Sequence, residues 1–162
     1  MKMNKNIARL AVTAGLTAAL SFGGVIAPVT MAFAATGSTV TFAEDDYSTN
    51  TTYKGIQIFK ATVATSEGAK TLSNIEWTSD NEVKTAVLTA IRAKDPSFTS
   101  DHAQDAADWL NANARVDGTD SKVASDNVLS LIANNLDGVS SWKTTTAGNP
   151  SLSGLDAGYW LF

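Results

Sequence analysis

The chain has no cysteine among its 162 residues. Disulfides are excluded, so any core must hold by packing, and thiolate metal sites and a lipid anchor on an N-terminal cysteine are excluded with them. Histidine is nearly absent too, with His102 the single one. A zinc site would have to rely on carboxylates, and a Ser-His-Asp triad would have to use His102 without a Gly-x-Ser-x-Gly elbow in the sequence. His102 therefore reads as a solvated side chain in the first turn of a polar helix. No cluster of basic residues occurs either, which excludes the electrostatic footprint of a nucleic-acid or anionic-membrane binder.

What is present begins with an export signal. Lys2, Lys5 and Arg9 precede an uncharged stretch from Leu10 to Ala27, and Ala32-Phe33-Ala34 places small residues, Ala32 and Ala34, at the two positions a signal peptidase reads. A retained membrane anchor is the rival reading of this stretch, which approaches spanning length. Gly15, Gly23, Gly24 and Pro28 weaken it, and no charged stop sequence follows. Residues 1–34 are thus expected to be removed as a signal peptide, leaving a domain over residues 35–162 that meets the membrane only through the signal before cleavage. That mature part keeps nine of the twelve Lys and Arg against all sixteen Asp and Glu, a formal charge of −7. Its 128 residues suit one domain that buries enough surface to be stable by packing. An exported domain without cysteine fits a Gram-positive cell surface; the competing reading is that a domain of this size needs no cross-link in any compartment.

Ser38 to Phe42 alternates apolar and polar residues as a half-buried strand does. Thr51 to Ala64 is rich in Tyr, Ile, Phe, Val and Thr, with apolar bulk on both faces, which predicts a central strand. Leu72 to Trp77 reads as a further extended segment. The period then changes to three and four. Val83, Val87, Ala90 and Ile91 form one helical stripe between a Ser79/Asp80 start and an Asp95-Pro96 stop. Ala103, Ala106, Ala107 and Leu110 form a second, starting after Thr99 or Ser100. Val128, Leu129, Ile132 and Leu136 form a third, closed by Gly138. A polar loop is expected over residues 140–150 and a closing strand over Gly158 to Phe162. Strands, then helices, then strand predict an α+β fold. The apolar closing strand has no polar turn after it, so it is expected to lack its neighbour, the domain to be incomplete at its C-terminus with further strands following, and the chain as it stands to be poorly soluble or oligomeric.

Taken in order, Tyr53-Lys54-Gly55-Ile56-Gln57-Ile58-Phe59, Leu72-Ser73-Asn74-Ile75-Glu76-Trp77, the alanine-rich helices and Leu155-Asp156-Ala157-Gly158-Tyr159-Trp160-Leu161 resemble the N-terminal domain of sortase-assembled pilin subunits of Gram-positive bacteria, in particular the fimbrial isopeptide family. The resemblance implies an immunoglobulin-like β-sandwich elaborated by about three inserted helices. It also implies a structural subunit of the major or backbone type rather than an enzyme, exported to a cell-wall pilus, needing no cofactor. Its partners would be neighbouring subunits, a sortase and a host receptor. An ancillary or tip pilin, or a surface adhesin, is the alternative within the class. Ile56 stands where the family carries a second aromatic, a mild change of core volume. The chain contains neither a Tyr-Pro-Lys pilin motif nor a Leu-Pro-x-Thr-Gly sorting signal. In the family both lie downstream of such a closing strand, so the lysine joined by sortase is unassigned and expected beyond Phe162.

The resemblance also raises an internal Lys-Asn isopeptide bond. Its chemistry needs a buried amine, an asparagine amide and a carboxyl pressed together in an apolar core. Lys54 and Lys60 on the central strand are the candidate amines and Asn149 the asparagine nearest the last strand; the competing reading places both lysines in water. From another class, a secreted carbohydrate-binding module or hydrolase domain would explain four tryptophans. Trp77, Trp109 and Trp160 read as core. Trp142, in the polar loop, is the one candidate for an exposed contact. Asp117-Gly118-Thr119-Asp120 lacks the remaining oxygen ligands of a calcium loop and reads as a turn and helix cap. No metal site is expected.

Overall fold

The computed structural model describes residues 10–13, 31–34, 36–42, 52–66, 69–114 and 127–162. Its elements in chain order are strands β1 (Leu10–Thr13), β2 (Met31–Ala34), β3 (Ser38–Phe42), β4 (Lys54–Ser66) and β5 (Ala69–Trp77), helices α1 (Asn81–Lys94), α2 (Ala103–Asn113) and α3 (Val128–Asn135), then strands β6 (Lys143–Thr144), β7 (Ser151–Leu155) and β8 (Gly158–Leu161). The fold is α+β, with three helices and two antiparallel sheets among the described residues. One sheet has the order β1-β3-β7, the other β2-β8-β4-β5, with β6 pairing to the start of β4. Strand β4 is central, as its two apolar faces predict. Ile56, Ile58 and Phe59 are fully buried.

The apolar residues divide into two clusters on opposite sides of β8. Tyr159 and Leu161 join Ile56, Ile58 and Phe59 against the helices, whose contribution is the predicted stripe of Val83, Val87 and Ile91, then Ala106 and Leu110, then Leu129 and Ile132. Trp160 and Phe162 turn the other way, with Tyr53, onto Val40 of β3 and Leu152 and Leu155 of β7. This is the two-residue alternation of a strand buried on both faces. The larger sheet is therefore the middle layer, with helices on one face and the smaller sheet on the other.

The helices start and stop for local reasons. Asp80 caps α1, its carboxylate accepting from the Glu82 amide at 2.9 Å, and Pro96 keeps Asp95 extended, so the helix ends at Lys94. Asn127 caps α3 through the Leu129 amide at 2.9 Å, and Gly138, at φ +87°, turns the chain out just past its end. Helix α2 begins later than its sequence start signal. Ser100 stays outside the helix, accepting from the His102 amide at 3.1 Å and donating its hydroxyl to Asp105 at 2.5 Å, and His102 takes the cap position.

Two expectations are corrected. The 140–150 loop contains β6 and a turn bridged by Thr146 and Asn149, and β7 follows it. In the full chain the closing strand does not lack a neighbour, since β8 lies between β4 and β2. The segment in the open position belongs to residues 1–34, and another piece of them, β1, pairs with β3. Two short strands therefore arise in the uncharged sequence expected to direct export, because an unpaired strand edge accepts any short segment that can turn its main chain toward it.

Candidate functional site

The two segments that carry the resemblance lie side by side. Residues Ile56 to Lys60 of β4 pair antiparallel with Leu161 to Gly158 of β8, and a bulge between Gln57 and Phe59 leaves Ile58 without a partner in the register. The bulge brings the Phe59 carbonyl against Gly158. Gly158 sits at φ +147°, and a β-carbon there would come within 1.9 Å of the Phe59 oxygen, so only glycine fits. Gln57 crosses the strand pair, donating its amide to the Ala157 carbonyl at 3.1 Å. At the start of β4 the Phe162 ring covers Gly55, where a β-carbon would lie 2.8 Å from the ring. Gly55, Gly158, Gln57 and Phe162 thus lock the β4–β8 pair from both ends.

On its other side β8 meets the residues marked for signal-peptidase recognition. Ala32 pairs with Trp160 and Ala34 with Gly158, with Met31 on Leu161 and Phe33 on Tyr159.

The candidate amines are exposed. Lys54 and Lys60 both reach solvent, as does Asn149, and water around the amines withholds the apolar surroundings that isopeptide chemistry requires. Lys143, which no sequence pattern singled out, sits with its Nζ 5.8 Å from the centre of the Trp160 ring, a cation–π distance. Its strand β6 places it opposite Gly55, a proximity that only the fold reveals.

All four indole N–H groups are engaged. Trp77 donates to the Asp101 carbonyl at 2.8 Å, Trp109 to the Asp95 carboxylate at 3.0 Å, and Trp160 to the Asp156 carbonyl at 2.9 Å. Trp142 is the correction. It is half-buried against the helical core and donates at 3.0 Å to the Leu136 carbonyl just past the end of α3, which also accepts from the Val139 amide at 3.1 Å. These are indoles pinned by their N–H and packed by their rings.

Three aspartates hold the helix ends together. The Ser141 hydroxyl and the Glu82 amide on its carboxylate hold Asp80 below its ordinary value of 3.8. Asp95 is lowered by the Ser97 hydroxyl first and by the Trp109 indole second. Asp101 is lowered chiefly by Arg92, which reaches it at 2.6 Å and also donates to the carbonyls of Phe98 and Ser100. Each carboxylate serves the α1–α2 corner or the α1 start. His102 is exposed. Among the described residues no three of His, Asp and Glu converge as metal ligands, and no helix is long and apolar enough to cross a membrane. Asp117 to Asp120 lie outside the described residues.

No protein-family model, curated protein or solved structure matches the chain.

Proposed function

We propose that the chain is the precursor of a structural subunit of a covalently assembled cell-surface pilus. On this reading residues 1–34 direct export and are removed, residues 35–162 form an immunoglobulin-like sandwich elaborated by α1, α2 and α3, and the protein is a sortase substrate serving adhesion. The observation that carries the reading is the pairing of β4 with β8. The Tyr53–Phe59 and Leu155–Leu161 segments, about a hundred residues apart in the chain, form adjacent strands at the centre of one sheet, with the helices inserted between them. A domain that bears tension between its neighbours needs this kind of closure. Adjacent antiparallel strands that lie far apart in the chain load many main-chain hydrogen bonds together.

The supporting chemistry is that of a scaffold. The conspicuous polar groups, from the four indoles to the three lowered aspartates, are spent on tying elements to one another. The mature charge of −7 keeps such a surface soluble.

The test is a cell-wall extract of the producing strain, boiled in detergent and probed with antibodies to residues 35–162. A ladder of high-molecular-weight species that collapses when the sortase is deleted supports a shaft subunit. One band at wall-anchored monomer size supports a tip or ancillary pilin. An unanchored secreted monomer overturns the pilus reading.

A further inference from the structure

We infer that removal of residues 1–34 turns β8 into an open strand edge that takes β8 of a second copy of this chain, antiparallel across a two-fold axis. The inference rests on the export reading above, since it requires β2 to leave. In the full chain β2 fills the position, pairing antiparallel over Met31 to Ala34 with Leu161 to Gly158. The slot thus accepts a four-residue, uncharged, antiparallel strand. Cleavage after Ala34 takes that strand away and leaves β8 at the edge of its sheet, with β4 still holding the opposite side.

Three features choose the occupant. Strand β8, Gly-Tyr-Trp-Leu, is itself four residues long and uncharged, so a second copy supplies a strand of the length and polarity the slot already accommodates. Nothing on β8 defends its edge, for no lysine, proline or inward charge lies between Ala157 and Phe162, whereas β5, at the far end of the same sheet, carries Lys70 and Glu76. Finally, a two-fold pairing of identical strands uses both bared edges at once and closes at two copies. The cost is repulsion between two molecules of charge −7, so association strengthens with salt, unlike a contact held by ion pairs.

The experiment uses the chain secreted by a host with a signal peptidase, its mass fixing whether residues 1–34 are gone. A mass that retains them overturns the export reading and this inference together. With them removed, light scattering across a concentration series is expected to show a monomer passing to a dimer, at lower concentration in 0.5 M than in 0.05 M NaCl. Hydrogen exchange at 158–161 should slow by at least about tenfold in the dimer. A peptide of residues 28–36 with a solubilising tail should return the dimer to monomer, and the same peptide with Ala32→Pro, which removes a main-chain donor, should not. A processed chain that stays monomeric overturns the inference while leaving the export reading intact. So does a dimer that ignores the peptide, or one that slows exchange at Ser38–Phe42, the edge that β1 vacates, instead of at β8.

Discussion

At Gly158 two strands come closer than any side chain allows. The β4 bulge pushes the Phe59 carbonyl into the space a β-carbon would take, and φ at +147° adds backbone strain for any L-residue. Gly158→Ala is therefore expected to destabilise the domain by on the order of 3 kcal/mol or more. Gly138→Ala, with a positive φ but open space around it, should cost nearer 1 kcal/mol. Urea unfolding of the two variants beside the parent measures the gap, and equal midpoints would contradict this account of the β4–β8 contact. Gly158 stood out in the sequence as part of the closing motif, but its reason did not, because the bulge opposite it lies about a hundred residues away. The tryptophans divide similarly. Trp160 reads as core from its strand pattern, whereas Trp142 sits in Ser/Thr/Gly-rich sequence whose composition does not show that its indole folds back onto the end of α3 six residues upstream. For Trp142→Phe the expectation is a loss of about 1 kcal/mol, one hydrogen bond with most of the ring packing kept, and no change in a glycan array. Glycan binding that vanishes with Trp142→Ala would favour the carbohydrate-binding alternative.

Among the elements, the helices were the most legible in sequence because each carries its own punctuation. Asp80, Pro96 and Gly138 act within a few residues of themselves, and the stripes of Val83 to Ile91 and Val128 to Ile132 bury as the 3.6-residue period requires. Strand β7 was not legible. Gly154, at φ +65°, interrupts its alternation, so Leu152 and Leu155 fall three apart and still both reach the core. Strands β1 and β2 were not legible, because the same uncharged residues read as an export signal. The helix corner also sets a pH response. Asp80, Asp95 and Asp101 all have folded values below the ordinary 3.8, so each stabilises the fold above that value and the contribution is lost as the pH falls through the lower folded one. All three are solvent-accessible, which keeps each contribution small. Thermal midpoints are expected to be flat from pH 7 to 5 and to fall below about 4. Asp95→Asn should melt below the parent at pH 6 and converge with it near pH 2, and a difference that persists undiminished at pH 2 would show that its carboxylate charge is not what matters.

For the whole molecule, the proposed export reading sets two processes against each other on one strand. On that reading Ala32 and Ala34 are the small residues a signal peptidase reads, and in the folded chain both belong to β2, paired with Trp160 and Gly158. A protease must take its substrate extended and free, so the folded domain and the peptidase compete for the same four residues. Cleavage then has to precede folding, or wait for β2 to open, and each 1.4 kcal/mol of opening free energy slows it about tenfold. Gly158→Ala separates these cases, because it loosens β8 without touching the cleavage sequence. Full-length chain refolded before purified signal peptidase is added in micelles should be cut more slowly than chain added from urea, and Gly158→Ala should recover most of the difference. If refolded parent and variant are cut at the same rate as the unfolded chain, β2 does not hold residues 31–34 strongly enough to matter. The open edge of β8 would then be present in the precursor as well as in the processed domain.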